Sequence, residues 1–392
     1  MHIGLTSVIV LALAPWTGTV APVWELGPDV PVPPGATGAT LHDVAAASPT
    51  AIWTVGEAWP GIQPLAARWN GQAWTDTALP VPKPFTTHTL HAVDALPDGT
   101  AWAAGSAHTT SPDGPVTTTM IIFYKTGWAA ISSPSTTGID DVSELFDIDM
   151  FSSSDGWAVG GAAVGGLPPQ ALIQRWTGGR WVKVTLPAEF DAFTQSELHA
   201  VHARASDDVW AAGTAVGRDG RRTGLIVHWD GTAWKRFPLP ATGTPPEGTV
   251  LEDITSVSAK DVWAAGSTCL TEAGFEICHP VVLHVTAKGV QAVPTAGDGA
   301  ELTAVVALAA DDVWVFGYDS NVAKREADHV EHWDGTAFTR DDTIPVPTEE
   351  ILDGEVASAL GGATAVPGTG ALWAVGWDGV APETTPHVIH RG

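Results

Sequence analysis

Ile52-Trp53-Thr54-Val55-Gly56 is a word that this chain repeats. It returns as Ala101-Trp102-Ala103-Ala104-Gly105 and Gly156-Trp157-Ala158-Val159-Gly160, then around Trp210, Trp263, Trp314 and Trp373, each Trp followed by two residues and Gly. Copies at intervals of roughly fifty residues match the size of a propeller blade, a unit of four short strands. Six copies carry a leucine twelve residues before the Trp: Leu41, Leu90, Leu145, Leu198, Leu251 and Leu302. The expected fold is all-β: a seven-bladed β-propeller of four-stranded antiparallel blades.

Within a unit, the leucine opens the innermost strand and the Trp word forms the second. The third strand ends in pairs such as Arg68-Trp69, Arg175-Trp176, His228-Trp229 and His332-Trp333. Asn70-Gly71, Asp230-Gly231 and Asp334-Gly335 follow, dipeptides that supply the positive φ angles of a two-residue hairpin turn. The fourth strand starts at Trp74, Trp181, Trp234 or Phe338 and runs toward a proline, which suits a strand with one unpaired edge. Blades are expected at about 41–80, 90–134, 145–187, 198–240, 251–294, 302–345 and 355–392. The last lacks a fourth strand, because His387-Val388-Ile389-His390 runs into Gly392. Val23-Trp24-Glu25-Leu26, within 23–31, is the spare strand that would complete it and remove the unpaired edge at the seam.

The propeller is expected over 22–392, after a segment 1–21 whose apolar run from Val8 to Trp16 reads as a signal peptide or N-terminal anchor. The only cysteines, Cys269 and Cys278, sit in one inter-strand loop at a spacing that suits a disulfide across a hairpin. Both features point to a secreted or extracytoplasmic protein. The formal net charge of −26 argues against nucleic acid as a partner and leaves a membrane only through the N-terminal anchor.

The Trp words and the Asp230-Gly231-Thr232-Ala233-Trp234 turn resemble the bacterial Trp-rich propeller repeats grouped with kelch, YVTN and sialidase-type proteins. The turn is similar to the sialidase Asp-box but lacks the residue between Asp and Gly. That box is structural, so the resemblance implies a fold and carries no glycosidase activity.

Loops leading into the innermost strands are acidic. Glu144, Glu197, Glu252, Glu301 and Glu355 are the candidate ligand-binding residues at the channel mouth, against a single base, Lys83. Three units place histidine after the leucine: His42, His91 and His199. With Glu252 as an oxygen ligand they would hold a divalent metal ion in the central channel, an arrangement similar in architecture to the iron site of carotenoid-cleaving propellers. His228, His284, His332 and His390 share a position with Arg68 and Arg175 beside the Trp words, which reads as packing or cation–π contact. Basic spots at Arg218, Arg221 and Arg222 and at Lys324-Arg325 would oppose the acidic mouth.

No nucleophile–base order or phosphate-cradling loop stands out. The expected function is therefore a non-catalytic binding or interaction module, monomeric, whose partner is a protein, a glycan or a small molecule. Two other readings stand beside it: a metal-dependent lyase or oxygenase using His42, His91 and His199, and a carbohydrate-binding, lectin-like propeller.

Overall fold

The computed structural model describes residues 22–111, 114–239, 247–272, 275–320, 327–345, 357–379 and 383–392. The segment 1–21, Glu355 and the Lys324-Arg325 pair lie outside the described residues. The described chain is all-β, with a single short 3₁₀ turn at Ala188–Ala192.

The first four-stranded unit sets the pattern. Its strands Gly38–Ser48, Ala51–Trp59, Gln63–Trp69 and Trp74–Asp76 pair in sequence order, all antiparallel. The same meander recurs along the chain, and one parallel bridge, Val142 to Thr117, joins the second and third units. The last unit has Ser358–Ala365, Leu372–Asp378 and Thr385–Arg391 from the C-terminal end. Trp24–Leu26 completes it, with Trp24 opposite Arg391 and Leu26 opposite Ile389.

The seven repeated tryptophans hold unit to unit. Trp53 packs on Tyr124 and Trp128 of the second unit, and Trp102 on Trp176 and Trp181 of the third. Trp157 meets Trp229 and Trp234 of the fourth, and Trp263 meets Trp333 and Phe338 of the sixth. Trp314 meets Trp24 of the last, whose own Trp373 packs on Trp69 and Trp74 of the first. The fifth unit has no outer aromatic pair; Val285 and Val290 join the cluster around Trp210 instead. These are edge-to-face or tilted contacts at 4.5–6.2 Å, the geometry aromatic rings prefer when buried.

The turn between third and fourth strands differs from expectation. Trp69 pairs with Trp74, so the loop has four residues, and only its glycine takes positive φ, at +94° for Gly71. The Asn70 side chain accepts from the backbone N–H groups of Gln72 and Ala73, and Asp230 and Asp334 do the same in their units. An Asx-type turn fits this sequence as well as a two-residue hairpin does, because it needs one acceptor side chain and one glycine.

The histidine and arginine series is structural, and its partner escaped the sequence reading. His228, His284 and His332 stack on Trp210, Trp263 and Trp314 at 3.9–4.1 Å. Each Nε2 also meets the aspartate two residues before its Trp: Asp208, Asp261 and Asp312, at 2.7–2.9 Å. The indole N–H of the same Trp donates to that aspartate. In the third unit Arg175 lies over Trp157 and forks onto Asp155.

The first unit breaks this pattern: Arg68 lies over Trp53, but Ala51 stands where the aspartate belongs, and the Arg68 Nε is buried without a partner. Ala51→Asp should therefore raise stability by about 1 kcal/mol, read as a higher denaturant midpoint. An unchanged or lowered midpoint would show that Arg68 has no use for the counter-ion.

Candidate functional site at the channel mouth

Every inner strand carries a β-bulge at one register. Leu41 pairs with Gly56 and Asp43 with Val55, which leaves His42 unpaired. The same shift leaves His91, Phe146, His199, Glu252, Thr303 and Gly361 unpaired in the other units. A bulge re-aims the extra side chain, and here the re-aimed residues meet. His42 stacks on His91 at 5.7 Å, His91 lies 5.8 Å from Phe146, and Phe146 lies 5.5 Å from His199. His199 Nδ1 pairs with Glu252 Oε2 at 2.8 Å. Thr303 donates to the carbonyl of Leu360 at 2.7 Å, and Gly361 lies against the backbone of His42.

One residue beyond the bulge, alternate units carry Asp43, Asp147 and Asp253, with alanine between them at Ala92, Ala200 and Ala304. Each aspartate accepts from the N–H of its own next residue and from a backbone N–H of the following unit: Val93, Val201 or Val305, at 2.6–2.8 Å. Asp94 and Asp149 stitch to Met150 and Ala203 in the same way. Burial pushes Asp43 and Asp253 up to about 7, and Asp147 well above the ordinary carboxylate range; the facing aspartates add to the last. The sequence reading missed this layer, although Asp recurs two residues after Leu41, Leu145 and Leu251.

Above the bulges, the structure brings together part of the predicted acidic set. Glu144 and Glu197 hold equivalent positions in adjacent units, just before their leucines. The Glu197 side chain lies over Gly161, the residue paired with Glu144; a Cβ on Gly161 would stand 2.9 Å from Glu197 Oε1. Burial raises the Glu144 pKa, a Ser106 hydrogen bond opposes it, and the Glu197 charge adds to the rise. Burial alone would lower His199, but the Glu252 hydrogen bond and the charges of Glu252 and Glu197 outweigh it, so His199 is raised and protonated more readily. His91 goes the other way: burial and then the neighbouring His42 bring it down to about 4. Glu144, whose carboxyl is held above its ordinary range, thus neighbours Glu197, whose charge in turn acts on the His199–Glu252 pair. Glu301 stands apart, accepting from the Tyr318 hydroxyl beside the disulfide.

The metal set is not assembled. His42 Nδ1 is bonded to the Leu90 carbonyl, Phe146 separates His91 from His199, and His199 spends Nδ1 on Glu252. Among the described residues the one trio within coordinating distance is Cys269, Cys278 and Glu301, and those cysteines form a disulfide. The basic spot of the fourth unit is occupied too: Arg218 donates to the Asp191 carbonyl, and Arg221 faces Asp219 and Glu247. Two clefts of about 360 and 320 Å³, both lined by Phe85, contain none of the mouth residues. Among the described residues no helix is long and apolar enough to cross a membrane.

No protein-family model and no curated protein matches the sequence. Solved structures do match the fold. The chain is similar to a PL25 ulvan lyase, with a TM-score of 0.55 and 10% identity over 90% of this chain and 94% of that one. It is similar to the GH74 xyloglucanase of Xanthomonas campestris at 0.52 and 14%, over 94% of this chain and 55% of that one. Trypanosoma rangeli sialidase with the inhibitor DANA gives 0.50 and 9%, over 95% and 60%. The chain therefore spans little more than half the length of the last two. These likenesses show a β-propeller-like all-β fold. They also correct the expectation of a non-catalytic interaction module, because the neighbours are carbohydrate-active enzymes.

The buried carboxyls make a pH prediction. Asp43, Asp147 and Asp253 bind protons more tightly folded than unfolded, so the stability they contribute is full below about pH 4 and falls as pH rises through 7. His199 and His202, raised by their carboxylate partners, act in the same direction above pH 6.5. Asp208 and Asp319 are lowered by their His and Arg partners and oppose this only below about pH 4. The single His91, lowered to about 4, opposes it between about pH 4 and 6.5, against three raised carboxyls. Thermal melting should therefore give a Tm several degrees higher at pH 5 than at pH 8. A Tm that rises from pH 5 to 8 would mean that the central aspartates are charged at no cost.

Proposed function

We propose that the protein is an exported, glycan-acting β-propeller. Its seven sheets close into one ring through Trp24–Leu26, and the sugar binds at the mouth formed by Glu144, Glu197, His199 and Glu252. The observation that carries this reading is the meeting of a raised-pKa carboxyl, Glu144, with a second carboxyl, Glu197, beside a histidine–glutamate pair. Paired carboxyls of unlike proton affinity are what glycosidic bond cleavage requires: one gives a proton to the leaving oxygen, the other activates water or attacks the anomeric carbon. In this reading Glu144 is the acid and Glu197 the base or nucleophile, while His199 and Glu252 orient the sugar. Support comes also from the fold, shared with a lyase, a xyloglucanase and a sialidase.

Charge selects the glycan class. A mouth rich in carboxyls on a chain of net charge −26 repels uronates and sulfates, so a neutral polysaccharide is the substrate class. The disulfide between Cys269 and Cys278, which pair directly across two strands, fits an exported protein.

The test is incubation with neutral β-glucan, xyloglucan and xylan beside polygalacturonate, measuring reducing ends released and retardation in polysaccharide gels. Neutral glycans should be bound and cut and polygalacturonate ignored. Glu144→Gln and Glu197→Gln should each lower release at least 100-fold while retaining binding. Absence of both binding and release on every neutral glycan would refute the reading.

A further inference from the structure

Tryptophan in this chain is spent on packing, with two exceptions. Every described tryptophan other than Trp59 and Trp377 packs against another aromatic ring. Trp377 is half-buried, and among the described residues its indole has neither a ring contact nor a hydrogen-bond partner. It directly follows Gly376, the glycine of the seventh Trp-x-x-Gly word, so its place can be followed from unit to unit.

The residue after that glycine pairs with the one before the inner-strand leucine, as Gly161 does with Glu144 and Trp377 with Ala359. This position rings the mouth. Glu57 accepts from the Thr89 hydroxyl of the next unit at 2.9 Å, Ser106 bonds Glu144, and Glu197 lies over Gly161. By the same register Trp377 stands toward Thr40 of the first unit. Trp59 lies two residues beyond Glu57, opposite Gly38, and is not part of this ring.

The ring changes character around its circumference. In the first five units the position holds Glu57, Ser106, Gly161, Thr214 and Ser267, which are polar or lack a side chain. The last two units hold Tyr318 and Trp377 instead. Tyr318 spends its hydroxyl on Glu301, the residue paired with it. Trp377 is flanked by Ala359 on the inner strand and Pro386 on the third, so its row is apolar throughout. Side chains paired across antiparallel strands share a face. Only the methyl group of Ala359 therefore stands in that row between the indole and the channel.

We propose that Trp377 is a stacking platform for a sugar residue of the glycan chain, set across the mouth from the point of cleavage. The inference rests on the glycan-acting reading and on the ring closure given with it. Glu144 and Glu197 belong to the third and fourth units, and two units separate the seventh from either. A chain held at Trp377 and cut at Glu144 must then cross the mouth. An indole offers a flat apolar face to the C–H groups of a pyranose and an N–H to its hydroxyls. It asks for no charge on the sugar, in keeping with a neutral glycan. Such a platform selects chains long enough to reach both places, so cleavage falls within a polysaccharide rather than at a disaccharide.

Calorimetric titration of the Glu144→Gln protein, which is to hold glycan without cutting it, tests the platform with hexasaccharides of xyloglucan, β-glucan and xylan. Adding Trp377→Ala should weaken binding about tenfold, and Trp377→Phe about twofold or less. Oxidation of the full chain with N-bromosuccinimide, mapped by peptide mass, should modify Trp377, and a bound hexasaccharide should protect it. If no hexasaccharide binds, the platform falls together with the glycan reading beneath it. If one binds and Trp377→Ala binds it equally, or Trp377 is oxidised equally with and without it, the platform alone is overturned. Equal losses in the Phe and Ala variants would also overturn it, since they mark a packing role.

Discussion

The glycine of each Trp-x-x-Gly word exists because a carbonyl needs its space. A Cβ on Gly56, Gly105, Gly160, Gly213, Gly266, Gly317 or Gly376 would stand 1.8–2.1 Å from the backbone oxygen of the residue before the inner-strand leucine. No side chain survives such an approach, so the second strand can pair this closely with the bulged inner strand only through glycine. The bulge in turn sends His42, His91, Phe146, His199, Glu252 and Thr303 to the centre. One backbone constraint, repeated in every unit, thus decides which residues a ligand would meet.

Around that constraint, two kinds of contact divide the work of holding the units together. Near the centre, aspartates reach across to the backbone of the next unit, where each carboxylate satisfies two N–H groups. Farther out, apolar clusters built on the repeated tryptophans fill the gaps between units, including the gap between the last and the first. Inner strands touch in succession, and the last touches the first. In the N-terminal strand, Trp24 is 3% exposed and packs on Trp314 and Phe316 of the sixth unit.

The sequence displayed the repeat because aromatic packing and close backbone approach demand particular residues at fixed spacing. Trp and Gly have no substitutes at those places, so both strands were legible. Ala51, Thr100 and Ala371 hid the aspartate of the Asp–Trp–His group, since three units out of seven lack it. The bulge leaves no mark of its own, and so His42, His91 and His199 looked like three ligands of one ion. Their shared position is real, but Phe146 between them and the carbonyl of Leu90 consume the geometry a metal would need. Glu144 and Glu197 were legible as acids placed just before the inner-strand leucines. Their juxtaposition was not, because it depends on Gly161 of one unit making room for a side chain of the next.

The mouth thus owes its chemistry to burial and to contacts between neighbouring units, and none of its residues forms a linear motif. In the proposed reading the acidic rim and the His199–Glu252 pair give it polarity, while the His42–His91–Phe146 arc gives it aromatic edges, a combination suited to a sugar's hydroxyls and C–H faces. The most direct measurement is a crystal structure of the protein with a bound neutral gluco-oligosaccharide. The account predicts a sugar ring contacting His199 and Glu252, with a glycosidic oxygen within hydrogen-bond reach of Glu144. A sugar seated instead in the outer cleft lined by Ile62, Val81 and Phe85, with none at the mouth, would contradict it.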